Sequence, residues 1–358
     1  MAVRLTLATI AVDAPMGAQA YQRQIMTRAE AALASTSEDP WHTSETWAVR
    51  DLTVRSMRSP LAGNRRLPLG RVATASGRTR TMLGRMLYAG DTVTHRMTLE
   101  LPPAPAGDVI TLHDVVAWWF LDESAPVPAS AEEARRAAAV ICVSEFTAQE
   151  AVDLLGIREP YVVHNGVDPR YLDATPLPDA ERERLGLDGP YVLHAGGAAT
   201  RKNLPALAAA WAKVHRERPD LTLALAGPPH PSRDALFAAV PGVRLLGRVP
   251  DELMPALVAG AAAVVVPSLY EGFGLPVLEG MAANVPVVAA NTSSLPEVAG
   301  GYALLAEPDA GSLAGALIDA TSDDAALPAL IAGGRARAAE FTWERSAEEH
   351  ARVWRAVR

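Results

Sequence analysis

From residue 190 onward the chain repeats one pattern: a short apolar run, then a longer stretch with helical spacing. Apolar runs at 191–195, 221–226, 243–246, 263–266 and 285–289 alternate with helical stretches at 204–216, 232–239, 251–259 and 276–283. Strands that are apolar on both faces must be covered on both, so the pattern calls for a parallel sheet between two helical layers. The class is α/β and Rossmann-like. The first half follows the same grammar, with strands at 3–10, 47–49, 109–112, 139–143 and 161–163 and helices at 19–34, 79–87 and 145–155. Residues 171–189 are rich in Pro, Asp, Glu and Gly and lack apolar periodicity, which fits a linker. Ala347, Ala351 and Trp354 give 343–357 an amphipathic stripe and mark a terminal helix that docks back. The expected division is a domain at 1–170, a linker at 171–189, a second domain at 190–342 and a C-terminal helix at 343–358.

A length of 358 residues suits two domains. At 49% hydrophobic and 21% charged, there is apolar material for two cores. No apolar run approaches the roughly 18 to 20 residues of a spanning helix. The first ten residues lack a basic start and a long apolar core, so they read as a strand of a cytoplasmic protein. One cysteine, Cys142, excludes an intrachain disulfide, and its setting in Ala-Ala-Val-Ile-Cys-Val reads as a buried strand. A net charge of −8 argues against nucleic acid as a partner. The charge is uneven, however. No acidic residue lies between Asp51 and Asp91, where Arg55, Arg58, Arg65, Arg66, Arg71, Arg78, Arg80 and Arg85 fall. This positive segment could meet an anionic acceptor or an acidic membrane surface. A solvated, arginine-biased loop and helix is the plainer reading.

Chemistry concentrates at three strand ends. Residues 267–282, PSLYEGFGLPVLEGMA, follow a strand and open a helix. Gly272 and Gly274 allow a tight turn and close approach to a ligand, Pro276 suits a first helical turn, and the helix N-terminus favours an anion. Glu271 and Glu279 flank the turn, and a carboxylate is a means of holding a ribose diol. Residues 196–205, GGAATRKNLP, form a second strand-to-helix turn in which Arg201 and Lys202 put two cations where a diphosphate could lie. Lysine occurs elsewhere only at 213, which makes its retention at 202 notable. His113 ends the strand at 109–112, where it can donate to a phosphate or sugar hydroxyl. His164 and His194 read as structural. Gly17, between the first strand and first helix, could bring its backbone to the same cleft, but the full G-x-G-x-x-G pattern of an NAD site is missing. The eight histidines show no zinc spacing and there is no Asp-x-Asp, so no essential metal and no cofactor are expected.

The span from Glu271 to Glu279 resembles the E-x7-E signature of glycosyltransferase family 4, within the GT-B fold of two Rossmann-like domains facing across a cleft. Arg201-Lys202-Asn203, the 246–250 run LGRVP, the 143–146 run VSEF, the 164–168 run HNGVD and the 291–297 run NTSSLPE fit the family's order. The resemblance covers 109–345 well and the first hundred residues poorly. It implies that Arg201 and Lys202 neutralise a donor diphosphate, and that the amides of Gly272, Phe273, Gly274 and Leu275 cradle phosphate and sugar. Glu271 would contact sugar hydroxyls, Glu279 the ribose, and Arg248 with Val249 the base. His113 would take the active-site histidine position and Gly17 the glycine-loop position. Many members carry arginine where Gly197 stands, so here Arg201 would supply that charge. The implied reaction is retaining transfer of a hexosyl group from a nucleoside diphosphate sugar to a glycan, lipid-linked glycan or small-molecule hydroxyl, by a front-face route without metal. The wording of 190–345 is most similar to mannosyltransferases of polysaccharide assembly, which puts GDP-mannose first and UDP-glucose behind it. A GT-B epimerase, a glycosidase and a non-catalytic nucleotide-sugar sensor are the competing readings; a glycosidase would need a carboxylate pair across the bond.

Overall fold

The computed structural model describes residues 3–13, 17–36, 46–120, 123 and 125–358. Packing groups them into two compact units, one of residues 1–166 with 343–358 and one of residues 167–342. The first unit runs β1 (Val3–Ile10), α1 (Gly17–Ser35), β2 (Trp47–Ser56), β3 (Arg65–Leu67), α2 (Leu69–Ala73), α3 (Gly77–Leu87), β4 (Val93–Arg96) and β5 (Asp108–Leu112). It continues with α4 (Val116–Trp119), α5 (Ser130–Arg136), β6 (Ala139–Cys142), α6 (Glu145–Leu155) and β7 (Tyr161–Val162). The second unit holds α7 (Asp179–Leu185), β8 (Tyr191–Ala195), α8 (Leu204–Glu217), β9 (Thr222–Ala226), α9 (Pro231–Phe237), β10 (Val243–Gly247), α10 (Met254–Ala259) and β11 (Ala263–Val266). Then follow α11 (Leu275–Ala282), β12 (Val287–Ala290), α12 (Leu295–Ala299), β13 (Leu304–Ala306), α13 (Ala310–Ala320) and α14 (Leu327–Ala338). The last helix, α15 (Trp343–Ala356), belongs to the first unit.

Both sheets are parallel, as the doubly apolar strands require. The first has the order β3-β2-β1-β4-β5-β6-β7, with β1 and β2 in register from Val3 opposite Trp47 to Ile10 opposite Val54. The second has the order β10-β9-β8-β11-β12-β13. In each, strand order reverses beside the unit's first strand, at β1/β4 and at β8/β11. Open α/β sheets bind ligands outside the carboxyl ends of strands at such a reversal.

Apolar spacing explains the helices. On α1, Tyr21, Ile25, Ala29, Ala32 and Leu33 are buried and pack against Trp343, Ala347, Ala351 and Trp354 of α15. In the second unit, Leu204, Leu207, Ala208, Trp211 and Val214 of α8 share a core with Leu313, Ala314 and Leu317 of α13. Cys142 lies buried in β6, and burial pushes its thiol up to about 12, far from a reactive thiolate. The segment read as a linker contains α7, whose Asp179-Ala-Glu-Arg-Glu-Arg-Leu run buries none of its residues. The predicted helix at 251–259 starts three residues later, at Met254, followed directly by Pro255 in its first turn.

One strand, β4, escaped the apolar pattern because it buries charge. In β4 all four residues, Val93, Thr94, His95 and Arg96, are buried. Arg96 is matched by Asp108 on neighbouring β5, with Nε and Nη2 donating to the two carboxylate oxygens at 2.8 and 2.7 Å. Within the arginine-rich segment, read as a solvated loop and helix, not every arginine reaches solvent. Arg80 is fully buried, its Nε and Nη2 donating to Glu133 at 2.6 and 2.9 Å, with further bonds to the carbonyls of Val72, Leu99, Glu100 and Leu101. A planar five-donor guanidinium can be buried when every donor finds an acceptor, which these loops provide. Arg55 and Arg66 donate to the carbonyls of Leu61 and Met57. Surface charge therefore rests on Arg58, Arg65, Arg66, Arg71, Arg78 and Arg85, which are exposed.

Candidate active site

In the second unit the loops after β8 and β11, which flank the strand-order reversal, bring three of the sequence-derived residues together. Arg201 Nη1 donates to Glu271 Oε2 at 2.9 Å and Lys202 Nζ to Oε1 at 2.5 Å. Ser268 Oγ adds 2.7 Å to Oε1. Glu271 is only 8% exposed. Burial alone would raise its carboxyl, but Lys202, Arg201 and the hydrogen bonds of Lys202 and Ser268 outweigh it and bring the pKa to about 2. The ionised carboxylate pairs with both cations and leaves one net positive charge at the mouth of the sheet.

The backbone of both loops is held from behind. Arg201 and Lys202 sit in a 3-10 turn, Thr200–Lys202, closed by Asn203 in the left-handed region, whose Nδ2 donates to the carbonyls of Pro267 and Pro308. Leu269 N–H donates to the Arg201 carbonyl at 2.7 Å, which ties one loop to the other. Glu271 N–H donates to Ser293 Oγ, and Ser294 Oγ donates to the carbonyls of Glu271 and Phe273, both at 2.8 Å. Gly274, at φ 101°, caps α11, and a Cβ there would lie 2.7 Å from Leu295 Cδ2. Only glycine suits that position. Gly272, Phe273 and Leu275 complete the turn, and the Phe273 ring packs edge-on against Phe341 at 6.1 Å. Gly197 lies in the loop after β8, where a Cβ would meet no atom within 4 Å, so the space at this position is open.

Glu279, one turn inside α11, is half-buried and accepts a hydrogen bond from Tyr171. Burial raises its carboxyl to about 7; the Tyr171 bond works against this, Asp251 and Asp168 add to it, and Arg170 opposes it. Arg248 and Val249 follow the edge strand β10, with Arg248 exposed.

In the first unit, Gly17 is the exposed first residue of α1, and the preceding residues 14–16 lie outside the described residues. His113 follows β5 and helps line a pocket of about 280 Å³ with Gln19, Gln22, Asp114 and Trp118. Among the described residues its Nε2 is buried without a hydrogen-bond partner. Burial, then His350, lowers its pKa to about 4, so the ring is neutral at pH 7. Its ring meets the edge of Tyr21 at 4.6 Å.

Behind His113 lies a buried chain that the sequence did not disclose. Trp354 Nε1 donates to His95 Nδ1 at 3.3 Å, which leaves the proton of His95 on Nε2, 2.7 Å from Thr111 Oγ1. At the other end His350 Nδ1 meets the Ser346 carbonyl at 2.7 Å and must carry its proton there, so Nε2 accepts from Tyr21 Oη at 2.7 Å. Thr111 Oγ1 then donates to Tyr21 Oη at 2.8 Å. One direction of donation thus satisfies every member with both histidines neutral. Burial lowers His350 to about 4 and holds His95 well below its usual value. His194 in the second unit is similar, lowered to about 4 by burial, with Nδ1 at 3.2 Å from the Val265 carbonyl.

Among the described residues no group of three or more His, Cys, Asp or Glu side chains is placed to hold a metal ion, and no helix is long and apolar enough to cross a membrane.

Comparison with known proteins places the chain in a family. The model for "Glycosyltransferase Family 4" matches residues 103–171 and that for "Glycosyl transferases group 1" matches 189–323. O-antigen chain mannosyltransferase B of Escherichia coli is 35% identical over 218 residues, 57% of this chain and 57% of that protein. The chain therefore spans little more than half the length of that relative. Sucrose-phosphate synthase from Thermosynechococcus elongatus superposes with a TM-score of 0.75 at 22% identity, over 98% of each chain. HepE of Anabaena, in complex with UDP-glucose, superposes with a TM-score of 0.73 at 19% identity, over 98% of this chain and 99% of that one. The likeness to these two solved structures spans nearly the whole chain, and the two family models between them match more than half of the residues. The chain belongs to glycosyltransferase family 4, with the GT-B fold.

Proposed function

We propose that the chain is a retaining hexosyltransferase that moves a sugar from a nucleoside diphosphate to a hydroxyl of a glycan, glycolipid or small-molecule acceptor. The observation that carries this reading is the convergence of Arg201, Lys202 and Glu271 at the carboxyl ends of β8 and β11, beside the N-terminus of α11. Negative charge grows on the departing diphosphate as its bond to the sugar breaks. Two fixed cations and a helix N-terminus stabilise that charge without reorganising. Glu271 holds sugar hydroxyls, Glu279 the ribose, Arg248 and Val249 the base, and the amides of 272–275 the phosphates. Gly197 leaves room for the diphosphate. His113, neutral at pH 7, hydrogen-bonds the reacting sugar, and Gly17 lies in the glycine loop near donor and acceptor. The new bond forms on the face the diphosphate leaves, and the acceptor's proton passes to a phosphate oxygen, so neither a carboxylate nucleophile nor a metal is required.

Mannose from GDP-mannose is the first donor, in keeping with the mannosyltransferase relative, and UDP-glucose, the ligand of the HepE structure, is the second. Where the acceptor is a glycolipid, the exposed arginines and methionines of α3 meet the membrane that presents it.

The test is calorimetric titration of GDP, UDP, dTDP and ADP sugars with and without EDTA, followed by transfer assays with the nucleotide that binds. One nucleotide should bind selectively and independently of EDTA, and Lys202→Ala should weaken it about 10- to 100-fold, as expected for loss of a charged hydrogen bond. Undiminished binding by Lys202→Ala would remove the site assignment. Sugar conversion without an acceptor would indicate an epimerase, and tight binding without turnover a sensor.

A further inference from the structure

Around α11 the second unit contains a hydroxyl to which the nucleotide-sugar reading gives no role. Tyr171 ends the 3-10 turn Pro169–Tyr171, is 6% exposed, and hydrogen-bonds the Glu279 carboxylate. The turn that carries it is fixed at several points. Asp168 caps it by accepting from Arg170 N–H at 2.9 Å, and Tyr171 N–H donates to the Asp168 carbonyl at 3.0 Å. Arg170 Nη2 bridges Asp168 Oδ2 at 2.8 Å and Asp251 Oδ2 at 3.1 Å, which ties the turn to the segment entering α10. From α14, Arg335 donates to the carbonyls of Leu172 and Ala282, the residues that follow the turn and end α11. Glu279 thus sits on a helix whose surroundings are rigid, while its own side chain has three rotatable bonds.

We propose that Tyr171 is a positioning residue for donor binding: its hydroxyl holds one oxygen of Glu279 so that the carboxylate is oriented in advance to accept from the vicinal ribose hydroxyls. The inference rests on the reading of 196–203 and 267–279 as a nucleotide-sugar site. A carboxylate that accepts one bond from Tyr171 keeps lone pairs on both oxygens for a diol, and orienting it before the ligand arrives lowers the ordering cost of binding. The same bond favours the ionised form. The groups facing Glu279 are Asp168, Arg170 and Tyr171 from the turn and Asp251 from the segment before α10, with Arg335 occupied at the end of α11. Burial and the two aspartates hold the carboxyl at about 7 even with the Tyr171 bond in place. Donor affinity should therefore fall as pH falls through about 7, because the protonated acid accepts fewer bonds. Without the hydroxyl, the midpoint should move to higher pH.

The test compares wild type, Tyr171→Phe and Glu279→Gln by calorimetry with GDP, UDP and their 2′-deoxyribose counterparts between pH 6 and 9, with donor KM and kcat measured in parallel. Tyr171→Phe keeps the ring and should fold normally. Its affinity for the ribonucleotide at pH 7 should drop on the order of three- to tenfold. Its affinity midpoint should shift to higher pH, and KM should rise more than kcat falls. The loss in Tyr171→Phe should be smaller for the deoxy nucleotide than for the ribonucleotide, and Glu279→Gln should keep only the pH dependence that comes from the ligand's own terminal phosphate. An unchanged pH midpoint in Tyr171→Phe, or equal losses for ribo and deoxy nucleotides, would overturn the inference while leaving the donor site in place. Wild type that binds no nucleoside diphosphate would overturn the underlying reading and the inference with it.

Discussion

Glu271 sets the charge of the donor site before any ligand arrives. Its two oxygens meet both cations proposed to receive a diphosphate, and a diphosphate must share or displace that pairing. Glu271→Gln keeps the shape and the bond from Ser268 but frees charge on Arg201 and Lys202. Free nucleoside diphosphate should then bind more tightly, about three- to tenfold, while transfer falls by about 100-fold or more because the sugar loses its anchor. Calorimetry with the diphosphate and initial rates with the sugar nucleotide would check both; weaker diphosphate binding would mean that the carboxylate serves chiefly to orient the cations. The cluster of Arg201, Lys202 and Glu271 was legible in the sequence because glycine turns and charge stand together at strand ends. Ser268, Ser293, Ser294 and Tyr171 were not. Their partners lie on other loops, up to 108 positions away in the case of Tyr171 and Glu279, and serine or tyrosine in a loop has no spacing that announces a bond.

At the scale of elements, the difference lies between apolar and charged burial. Strands such as β11 and β12 announce themselves as continuous apolar runs, whereas β4 is central yet reads Val-Thr-His-Arg. Arg96 is buried there because Asp108 stands on the next strand, a fact of register that no local window contains. Helix α3 repeats the lesson. Arg80 and Gly84 face inward, where a Cβ on Gly84 would lie 1.8 Å from the Pro103 carbonyl. Arg78 and Arg85 face outward with Met82, 57% exposed, and Met86, 73% exposed. Two methionines among arginines, with no acidic residue from 52 to 90, make a face suited to an anionic lipid surface. The chain should co-sediment with vesicles containing phosphatidylglycerol but not with pure phosphatidylcholine. At about 1 kcal/mol per arginine, Arg78→Ala with Arg85→Ala should cost about 20- to 30-fold in partitioning, and Met82→Ser with Met86→Ser should weaken it further without altering thermal stability. Equal retention on both vesicle types, or retention unaffected by these changes, would remove the membrane from the proposal.

The whole molecule is assembled from a chain that leaves its first unit at Gly166 and returns to it at Trp343. The amphipathic stripe of α15 was visible in the sequence and required a docking surface; its particular place depends on pairings such as Tyr21 with His350, 329 positions apart, that only the fold reveals. Trp343, Ala347, Ala351 and Trp354 complete the core that α1 begins, while the second unit has a core of its own around Leu207, Trp211, Leu313 and Leu317. Stability should therefore divide by unit. Trp354→Ala removes a fully buried ring and leaves His95 Nδ1 without its donor, and a change of that kind costs about 3 to 5 kcal/mol. Against a typical domain stability of about 5 to 15 kcal/mol, this is a large fraction. Denaturant unfolding of the variant, followed by far-UV circular dichroism and by nucleotide binding, should split into two transitions. The first unit should unfold at clearly lower denaturant, while the transition that abolishes nucleotide binding stays near its wild-type midpoint. A single transition, with nucleotide binding lost in step with the first unit, would mean that the second unit draws its stability from the first and that the donor site depends on the helix at the far end of the chain.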